Sequence, residues 1–365
     1  MARIVVGMSG GADSSAAAAI LRDEGHDVVG VTLHLWDYDA HRAKGRCCAP
    51  EDQHDARRVC DALGIPHFTF DRRWLFRERV VEPFIDGYLR GLTPSPCVRC
   101  NESVKLGPLW EIARRLGATQ VATGHYAHIE VRDGEVVLER AHDADRDQSY
   151  FLFAAPLDAL RSLVLPLGSR EKPDVRSYLE HLGLSVARKP DSTDLCFVEG
   201  QDYAEWVAGH ATQPLPPPGS IETTDGRTIG THDGIHRYTV GQRRAVPGVD
   251  GRARYVLSVV PERNAVVVGT DVESRSATVH VGEVRWFVAN PPTRVNAKLR
   301  YRHAGVEADV RCVAPGVVEL QLDEPQRGVA PGQAAVLYVG DRVVGGGFIV
   351  GQPANRVAHA SGSPP

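Results

Sequence analysis

The sequence predicts an α/β domain built on a parallel sheet, followed by two β-rich modules. Three observations carry this reading. β-Branched runs alternate with helix-forming runs as far as about residue 205. A proline-rich stretch then interrupts the chain, and beyond it Asp-Gly turns separate short alternating strands. At 365 residues the chain is longer than one domain usually takes, and 42% hydrophobic with 24% charged residues is ordinary globular composition. Collagen-like repeats, a coiled coil and wholesale disorder are excluded.

Arg3 to Gly7 reads as a strand, Met8 to Ser15 as a glycine loop, and Ala16 to Asp23 as a helix. Val28 to Leu35 is a second buried strand, Asp52 to Leu63 an amphipathic helix stopped by Gly64, and Pro66 to Phe70 a third strand. Strands alternating with helices imply a parallel sheet covered on both faces. Prolines in Pro94 to Asn101 argue against regular structure there, whereas Lys105 to Leu116 is a helix and Gln120 to Thr123 a strand ending at Gly124-His125-Tyr126. Thr212 to Gly219, with Pro214, Pro216, Pro217 and Pro218, suits a stiff linker. The Asp-Gly pairs at 225, 233 and 250 follow as hairpin signals, and Val281 to Val350 reads as a small barrel or sandwich. The expected organisation is a catalytic α/β domain over 1–208, a central module over 209–275, a barrel over 276–355 and a disordered tail over 356–365.

Lys and Arg total 42 against 46 Asp and Glu, a formal net charge of −4, so no global field draws in polyanions and any nucleic acid must be held by local patches. No apolar run approaches the ~20 residues that cross a bilayer, and the chain opens without a basic leader. A cytoplasmic protein with no membrane partner is expected. Seven cysteines, an odd number spread along the chain, favour thiol chemistry or metal ligation over structural disulfides.

The backbone amides of Ser9, Gly10, Gly11 and Ala12 can converge at a helix N-terminus, where the helix dipole also favours a phosphate. The loop lacks the Gly-Lys-Ser/Thr ending of a Walker A motif and the GxGxxG dinucleotide fingerprint. Its Ser-Gly-Gly-x-Asp-Ser-Ser instead resembles the loop of ATP pyrophosphatases, which release pyrophosphate and leave AMP on a carbonyl oxygen. Asp13 would repel a phosphate if bare, which points to Mg²⁺ as a companion of ATP. Cys97 and Cys100, with Arg99 between them to favour thiolates, and the distant Cys196 are candidates for one reactive centre.

Taken together, these stretches resemble the tRNA-specific 2-thiouridylases. The matches are Gly7 to Ser15, Ala122 to Ala127, Arg146 to Leu152, Asp191-Ser192-Thr193-x-x-Cys196-Phe197, His232-Asp233-Gly234, Thr239 to Arg244, Arg300-Tyr301, and Pro325-Gln326-Arg327-x-x-Ala330-Pro331-Gly332-Gln333. They span nearly the whole chain in the family's order. The resemblance implies an N-terminal adenine-nucleotide α-hydrolase-like domain, a small central β-rich domain and a C-terminal β-barrel. It implies ATP-dependent 2-thiolation of the wobble uridine of tRNA, with a cysteine desulfurase or sulfur-relay protein as donor and the tRNAs for Lys, Glu and Gln as substrates. By position, Gly7, Met8, Ser9, Gly10, Gly11, Ala12, Asp13, Ser14, Leu33 and Gly124 would hold ATP. Cys100 and Cys196 would be the catalytic pair, Cys196 carrying the persulfide. Ser95, Pro96, Cys97, His125, Arg146, Asp147, Gln148, Arg300, Tyr301 and Gln333 would meet the tRNA.

One departure has chemical consequences. Where the family pattern has Asn-Pro-Asp before its first catalytic cysteine, this chain has Ser95-Pro96-Cys97, turning Asp-x-x-Cys into Cys-x-x-Cys. Either Cys97 replaces a polar residue near the base and the persulfide route stands, or Cys97, Cys100 and Cys196 ligate an iron–sulfur cluster. Lys298 to His303 joins positive charge to an aromatic face, as RNA binding needs, although charge runs are commonly solvated surface. Arg243 and Arg244 form a second basic patch. Cys47, Cys48, Cys60 and Cys312 read as packing or incidental thiols, and Asp147-Gln148 could simply cap the helical run that starts at Ser149. An ATP-dependent ligase or amidotransferase would share the glycine loop but has no need of the spaced cysteines.

Overall fold

The computed structural model describes residues 1–37, 50–191, 195–198, 200–249 and 251–351. Cys47, Cys48, the Ser192-Thr193-Asp194 stretch and the tail lie outside them. Strand β1 (Arg3–Gly7) buries Ile4, Val5 and Val6 almost completely and lies at the sheet centre. It pairs in parallel with β2 (Asp27–His34), which pairs with β3 (His67–Asp71). On the other side β4 (Gln120–Ala122) joins β1 and pairs in turn with the short β7 (Leu163–Val164), giving the order β3-β2-β1-β4-β7.

Helix α1 (Ala12–Asp23) starts four residues earlier than the composition suggested, so Asp13, Ser14 and Ser15 are its first turn. Ala16 to Ala19 have no solvent exposure, the small side chains that let a helix lie close on a sheet. Helix α2 (Pro50–Leu63) covers β2 and β3 and ends at Gly64, whose φ of +69° a side chain would strain. A helical run follows as α3 (Arg73–Phe76), a π turn (Arg77–Val81) and α4 (Glu82–Leu89).

The proline-bearing stretch at 94–101 is not irregular. Pro96 is the first residue of α5 (Pro96–Cys100), which continues through a π turn (Asn101–Lys105) into α6 (Leu106–Arg115). Proline at a helix's first position gives up an amide that has no partner there anyway, so it starts the helix that carries both cysteines.

A hairpin of β5 (His128–Arg132) and β6 (Glu135–Glu139) turns on Asp133 and Gly134, both at positive φ. The chain continues through α7 (Ser149–Leu152), α8 (Leu157–Arg161), the short β7 (Leu163–Val164), α9 (Lys172–His181) and α10 (Tyr203–His210). The central module is a sheet of β8 (Gly219–Thr223), β9 (Thr228–His232), β10 (Tyr255–Val260) and β11 (Ala265–Gly269) in the order β10-β11-β8-β9. Asp225-Gly226 makes the β8–β9 turn, but Asp233-Gly234 leads into a 3₁₀ turn over Ile235–Arg237 rather than a hairpin.

The barrel consists of β12 (Arg275–Trp286), β13 (Arg294–Lys298), β14 (Val306–Ala314), β15 (Val317–Arg327), β16 (Ala334–Val339) and β17 (Arg342–Val350). Strand β17 returns to pair with β12 and closes it. The β5–β6 hairpin of the first domain adds to β17 through Val343 opposite Leu138. At Gly346 a Cβ would lie 2.6 Å from Phe153, so the bare backbone is where that ring seats on the barrel. Among the described residues no helix is long and apolar enough to cross a membrane.

Candidate active site

The carboxyl ends of β1, β2 and β4 open on a cavity of about 330 Å³, the place where open parallel sheets bind ligands. Gly7, Met8, Ser9, Gly11, Ala12, Asp13, Ser14, Leu33 and Gly124 line it, as do His125, Arg146, Gln148 and Tyr301. Residues assigned from the sequence to the nucleotide and residues assigned to RNA therefore share one cavity.

The loop is shaped from within. The Ser9 amide donates to Ser14 Oγ at 3.1 Å, and Ser15 Oγ donates to the Gly11 carbonyl at 2.8 Å. The Ser9 amide is thus spent on the loop itself, contrary to the sequence expectation. Gly10, Gly11 and Ala12 show no hydrogen bond from their amides among the described residues, leaving three donors at the start of α1. Gly10 does not face the cavity: at φ +74° it presses on α2, and a Cβ there would sit 2.1 Å from the Asp52 carbonyl oxygen. Gly124 approaches as closely from the other side, its Cβ position 2.5 Å from the Asp13 carbonyl carbon.

Asp13 is not bare. Lys172, on α9 and nearly buried, donates from Nζ to Asp13 Oδ1 at 2.6 Å and lies 2.8 Å from Asp191. The Tyr126 hydroxyl donates to the same Asp13 oxygen at 2.9 Å. Burial works to raise the Asp191 carboxyl, but Lys172, Arg146 and Arg176 outweigh it and hold it below the usual range. Lys189 staples the loop to α2, donating to the Gly10 carbonyl at 2.9 Å, to Asp55 at 2.7 Å and to Asp52. Neither lysine was singled out from sequence; the signal available was Lys189-Pro190-Asp191, which reads as a turn before Cys196. The repulsion that suggested Mg²⁺ at Asp13 is removed by Lys172. Among the described residues no three His, Cys, Asp or Glu side chains are grouped to hold a metal ion.

His125 Nδ1 lies 2.8 Å from Thr123 Oγ1, and desolvation, with Lys105 nearby, pushes its imidazole down to about 3. It is neutral at physiological pH. Gln148 pins the turn, its side-chain Oε1 accepting from the Tyr126 backbone amide at 3.0 Å while its backbone N–H donates to the Tyr126 carbonyl at 2.8 Å. The Tyr301 ring lies against Phe151 in a tilted arrangement, with centroids 4.4 Å apart.

Several side chains read from the sequence as RNA contacts are also engaged within the protein. Asp147 is buried and accepts from the Ala141 and Ser149 amides and from Ser149 Oγ, which ties it to the start of α7 instead of presenting it to solvent. Lys298 and His303 are also buried, Lys298 within 3.8 Å of Asp147 and His303 bonded to Gln326 and the Leu299 amide, which leaves Arg300 and Arg302 as the exposed charges of that run. Gln333 donates to the Thr93 and Pro94 carbonyls at 3.0 and 3.2 Å, while Ser95 Oγ accepts from the Ala334 amide at 2.9 Å. Both clip the barrel to the chain entering α5. Cys312, on β14, is exposed, whereas Cys60 is buried and its thiol is pushed up to about 12 by desolvation.

None of the three candidate cysteines lines the cavity. Cys97 is exposed, Cys100 buried and Cys196 half-buried. Cys100 belongs to the main core, against which Cys196 packs. Phe197, next to Cys196, lies 5.7 Å from Phe76 and 6.4 Å from Trp36, the neighbour of the cavity residue Leu35. A second groove of about 870 Å³ runs between the central module and the barrel, lined by Arg275, Arg300, Arg327, Gly241 and Gln333. Arg243 and Arg244 are exposed beside it.

Three family models match the chain: the tRNA methyl transferase HUP domain over residues 2–200, its PRC-barrel domain over 208–270, and the aminomethyltransferase β-barrel domain over 276–349. The chain is 47% identical over 363 residues to the tRNA-specific 2-thiouridylase MnmA of Sorangium cellulosum, covering 95% of this chain and 92% of that one. It is 47% identical to the Rhodospirillum centenum protein of the same name, covering 95% and 91%, and 45% identical to that of Brucella suis, covering 95% and 90%.

Proposed function

The chain belongs to the tRNA-specific 2-thiouridylases, and from that premise we propose that it is a tRNA-uridine 2-sulfurtransferase acting on the wobble uridine of the tRNAs for Lys, Glu and Gln in the cytoplasm. The observation that carries the reading is the convergence on one cavity of an amide-lined glycine loop with His125, Arg146 and Tyr301. ATP binds with its phosphates against the Gly11 and Ala12 amides and its base towards Val31 and Leu33. The target uridine, unstacked from the anticodon loop, enters by Tyr301, whose ring offers a stacking face, while arginines of the second groove take the phosphates.

Oxygen at C2 of uracil is a poor leaving group. Its attack on the α-phosphorus of ATP breaks the bond to the β-phosphate bridge, releases pyrophosphate and leaves adenylated uridine. Loop amides stabilise the charge that develops. Neutral His125 and the paired Asp13 put no free charge against the incoming base. A persulfide on Cys196, loaded by a cysteine desulfurase directly or through a relay protein, then supplies sulfur to C2, and AMP departs with the original oxygen. Cys100 assists either by proton transfer or by attacking the persulfide. Mg²⁺ accompanying ATP would be held chiefly by the nucleotide's own phosphates, with Asp13 the nearest carboxylate of the loop, and would offset phosphate charge there; no step is routed through it or through an iron–sulfur cluster.

The test is mass analysis of nucleosides from unmodified tRNA incubated with the protein, ATP, Mg²⁺ and a desulfurase with cysteine. 2-Thiouridine forms with the wild type. Cys196→Ser keeps tRNA-dependent pyrophosphate release and loses thiolation; retained thiolation would overturn the assignment of Cys196.

A further inference from the structure

We propose that Cys97 is a resolving thiol: it reduces a Cys100–Cys196 disulfide left by each sulfur transfer and passes the oxidation, as an exposed Cys97–Cys100 disulfide, to an external dithiol. This rests on the persulfide reading above. If Cys100 attacks the Cys196 persulfide, the outer sulfur leaves as hydrosulfide, which attacks C2 of the adenylated base. The two cysteines are then joined, and the enzyme is inactive until two electrons are returned.

The arrangement of the three thiols limits how those electrons arrive. Cys100 is 5% exposed and Cys196 is only half-exposed beside the same core. Thiol–disulfide exchange needs an attacking thiolate to reach one of the two sulfurs, so a protein reductant meets a shielded bond. Cys97 is exposed, lies on the same helix as Cys100 and stands three residues before it. Helical residues at that spacing share a face with Cβ atoms ~5–6 Å apart, and a disulfide takes Cβ atoms ~3.5–4.5 Å apart. A small adjustment of the first helical turn bridges that difference.

Cys97 also stands on the reactive side of the molecule. Its helix α5 packs against α7, whose Phe151 ring lies 4.4 Å from that of Tyr301, and Tyr301 lines the ATP cavity. The helix itself is held to the barrel. Arg99, between the two cysteines, donates to both Glu283 carboxylate oxygens at 3.0 and 2.9 Å and to Glu102 at 3.0 Å, with its guanidinium 3.8 Å above the Phe348 ring. Cys97 and Cys100 are thereby presented together from one fixed element, while Cys196 sits on a separate turn over 195–198.

The exchange balances. Cys97 thiolate attacks the Cys100 sulfur, the Cys100–Cys196 bond breaks, and Cys196 leaves as a thiolate ready for the next persulfide. A dithiol of the thioredoxin class then attacks the exposed Cys97 sulfur. Its second thiol closes its own disulfide, returning Cys97 and Cys100 as thiols. Two electrons pass from the dithiol to the transferred sulfur.

The experiment compares full-length wild type, Cys97→Ser and Cys196→Ser with tRNA, ATP, desulfurase, cysteine and a thioredoxin system as the reductant. Thiouridine per chain is read by nucleoside mass analysis and disulfides by peptide mapping after an acid quench. Wild type turns over repeatedly and, with reductant withheld, accumulates the Cys97–Cys100 disulfide. Cys97→Ser halts after one thiouridine per chain with Cys100 joined to Cys196, and dithiothreitol, small enough to enter, restores turnover. Sustained turnover of Cys97→Ser on thioredoxin, or failure to trap Cys97–Cys100 in the wild type, overturns the proposal. Thiolation by Cys196→Ser overturns the persulfide reading beneath it; with that variant inactive, the Cys97→Ser result bears on Cys97 alone.

Discussion

Replacing Lys172 by Met removes one charge from the back of the ATP cavity while keeping most of the side chain's volume. Lys172 is 5% exposed and contacts two carboxylates, Asp13 at 2.6 Å and Asp191 at 2.8 Å. Breaking a buried ion pair from one side costs ~3–5 kcal/mol. Here the carboxylate side chains are 34% and 26% exposed, and water screens them, so about 2 kcal/mol is a fairer figure. In a domain of this size that lowers the melting temperature by roughly 4–8 °C. The carboxylates left behind face incoming phosphates, and ATP affinity falls on the order of 30-fold, which corresponds to the same ~2 kcal/mol. The depressed Asp191 carboxyl adds a pH signature. Its contribution to stability is present above the unfolded value of ~3.9 and disappears as pH falls through the lower folded value. In Lys172→Met that contribution shrinks and acid unfolding begins at a higher pH. Titration calorimetry with ATP and thermal melts between pH 3 and 7 measure both effects, with Lys172→Arg as the charge-preserving control. A Lys172→Met protein that binds ATP within threefold of wild type and melts at the same temperature would refute the argument that Lys172 neutralises the pocket.

Gly124→Ala places a methyl group 2.5 Å from the Asp13 carbonyl carbon and forces α1 and the loop back by ~1 Å, a displacement that can cost ~100-fold in a positioned reaction; tRNA-dependent pyrophosphate release should fall accordingly while the far-ultraviolet spectrum is kept. His125 is held neutral, its folded value of about 3 lying below the unfolded ~6.5. Its contribution is complete above pH 6.5 and is lost as pH falls towards 3, so His125→Gln should flatten the stability profile across that window in thermal melts. Arg99→Ala and Glu283→Ala each open the clamp between α5 and the barrel. With half-exposed partners the stability cost is only ~1 kcal/mol, but thiolation should fall about tenfold at unchanged ATP affinity, and the double variant should be no worse than either single one.

Much of the first domain was legible because its elements are spelled by local chemistry. The Ile4-Val5-Val6 strand, the Ala16 to Ala19 helix face and the stop at Gly64 each follow from side-chain size, branching or φ preference. The errors share another cause. Pro96 was read by its effect inside a helix when it sits at the start of one, a distinction set by where the chain emerges from the barrel clip at Thr93 to Ser95. Asp147 and Lys298 look like surface charges, yet they face each other across the junction of α7 and the barrel. Lys172 lies 159 residues from Asp13, and nothing local to either residue announces the pair. Sequence patterns report which residues a helix or strand buries; they do not report which buried charges meet when two domains close.

Barrel contacts with the cysteine helix change what the C-terminal domain does in this enzyme. Were it only an RNA-docking module, its contacts with the first domain would be a passive hinge. Instead the Thr93 amide donates to the Pro331 carbonyl, Gln333 and Ala334 grip Thr93 to Ser95, and Arg285 reaches across to Glu102 and, at 2.6 Å, to the Ala154 carbonyl. Glu283, which anchors Arg99, sits at φ +52°, a conformation costly for glutamate and held by a bulge where β12 meets β17. The groove that would take RNA phosphate is lined by Thr93 and Gln333 as well. A displacement of the barrel would act directly on the chain entering Pro96, and so on the helix that carries Cys97 and Cys100, because these hydrogen bonds join the barrel to Thr93, Pro94 and Ser95. On this geometry the barrel fixes where α5, and with it Cys97 and Cys100, sits against the first domain.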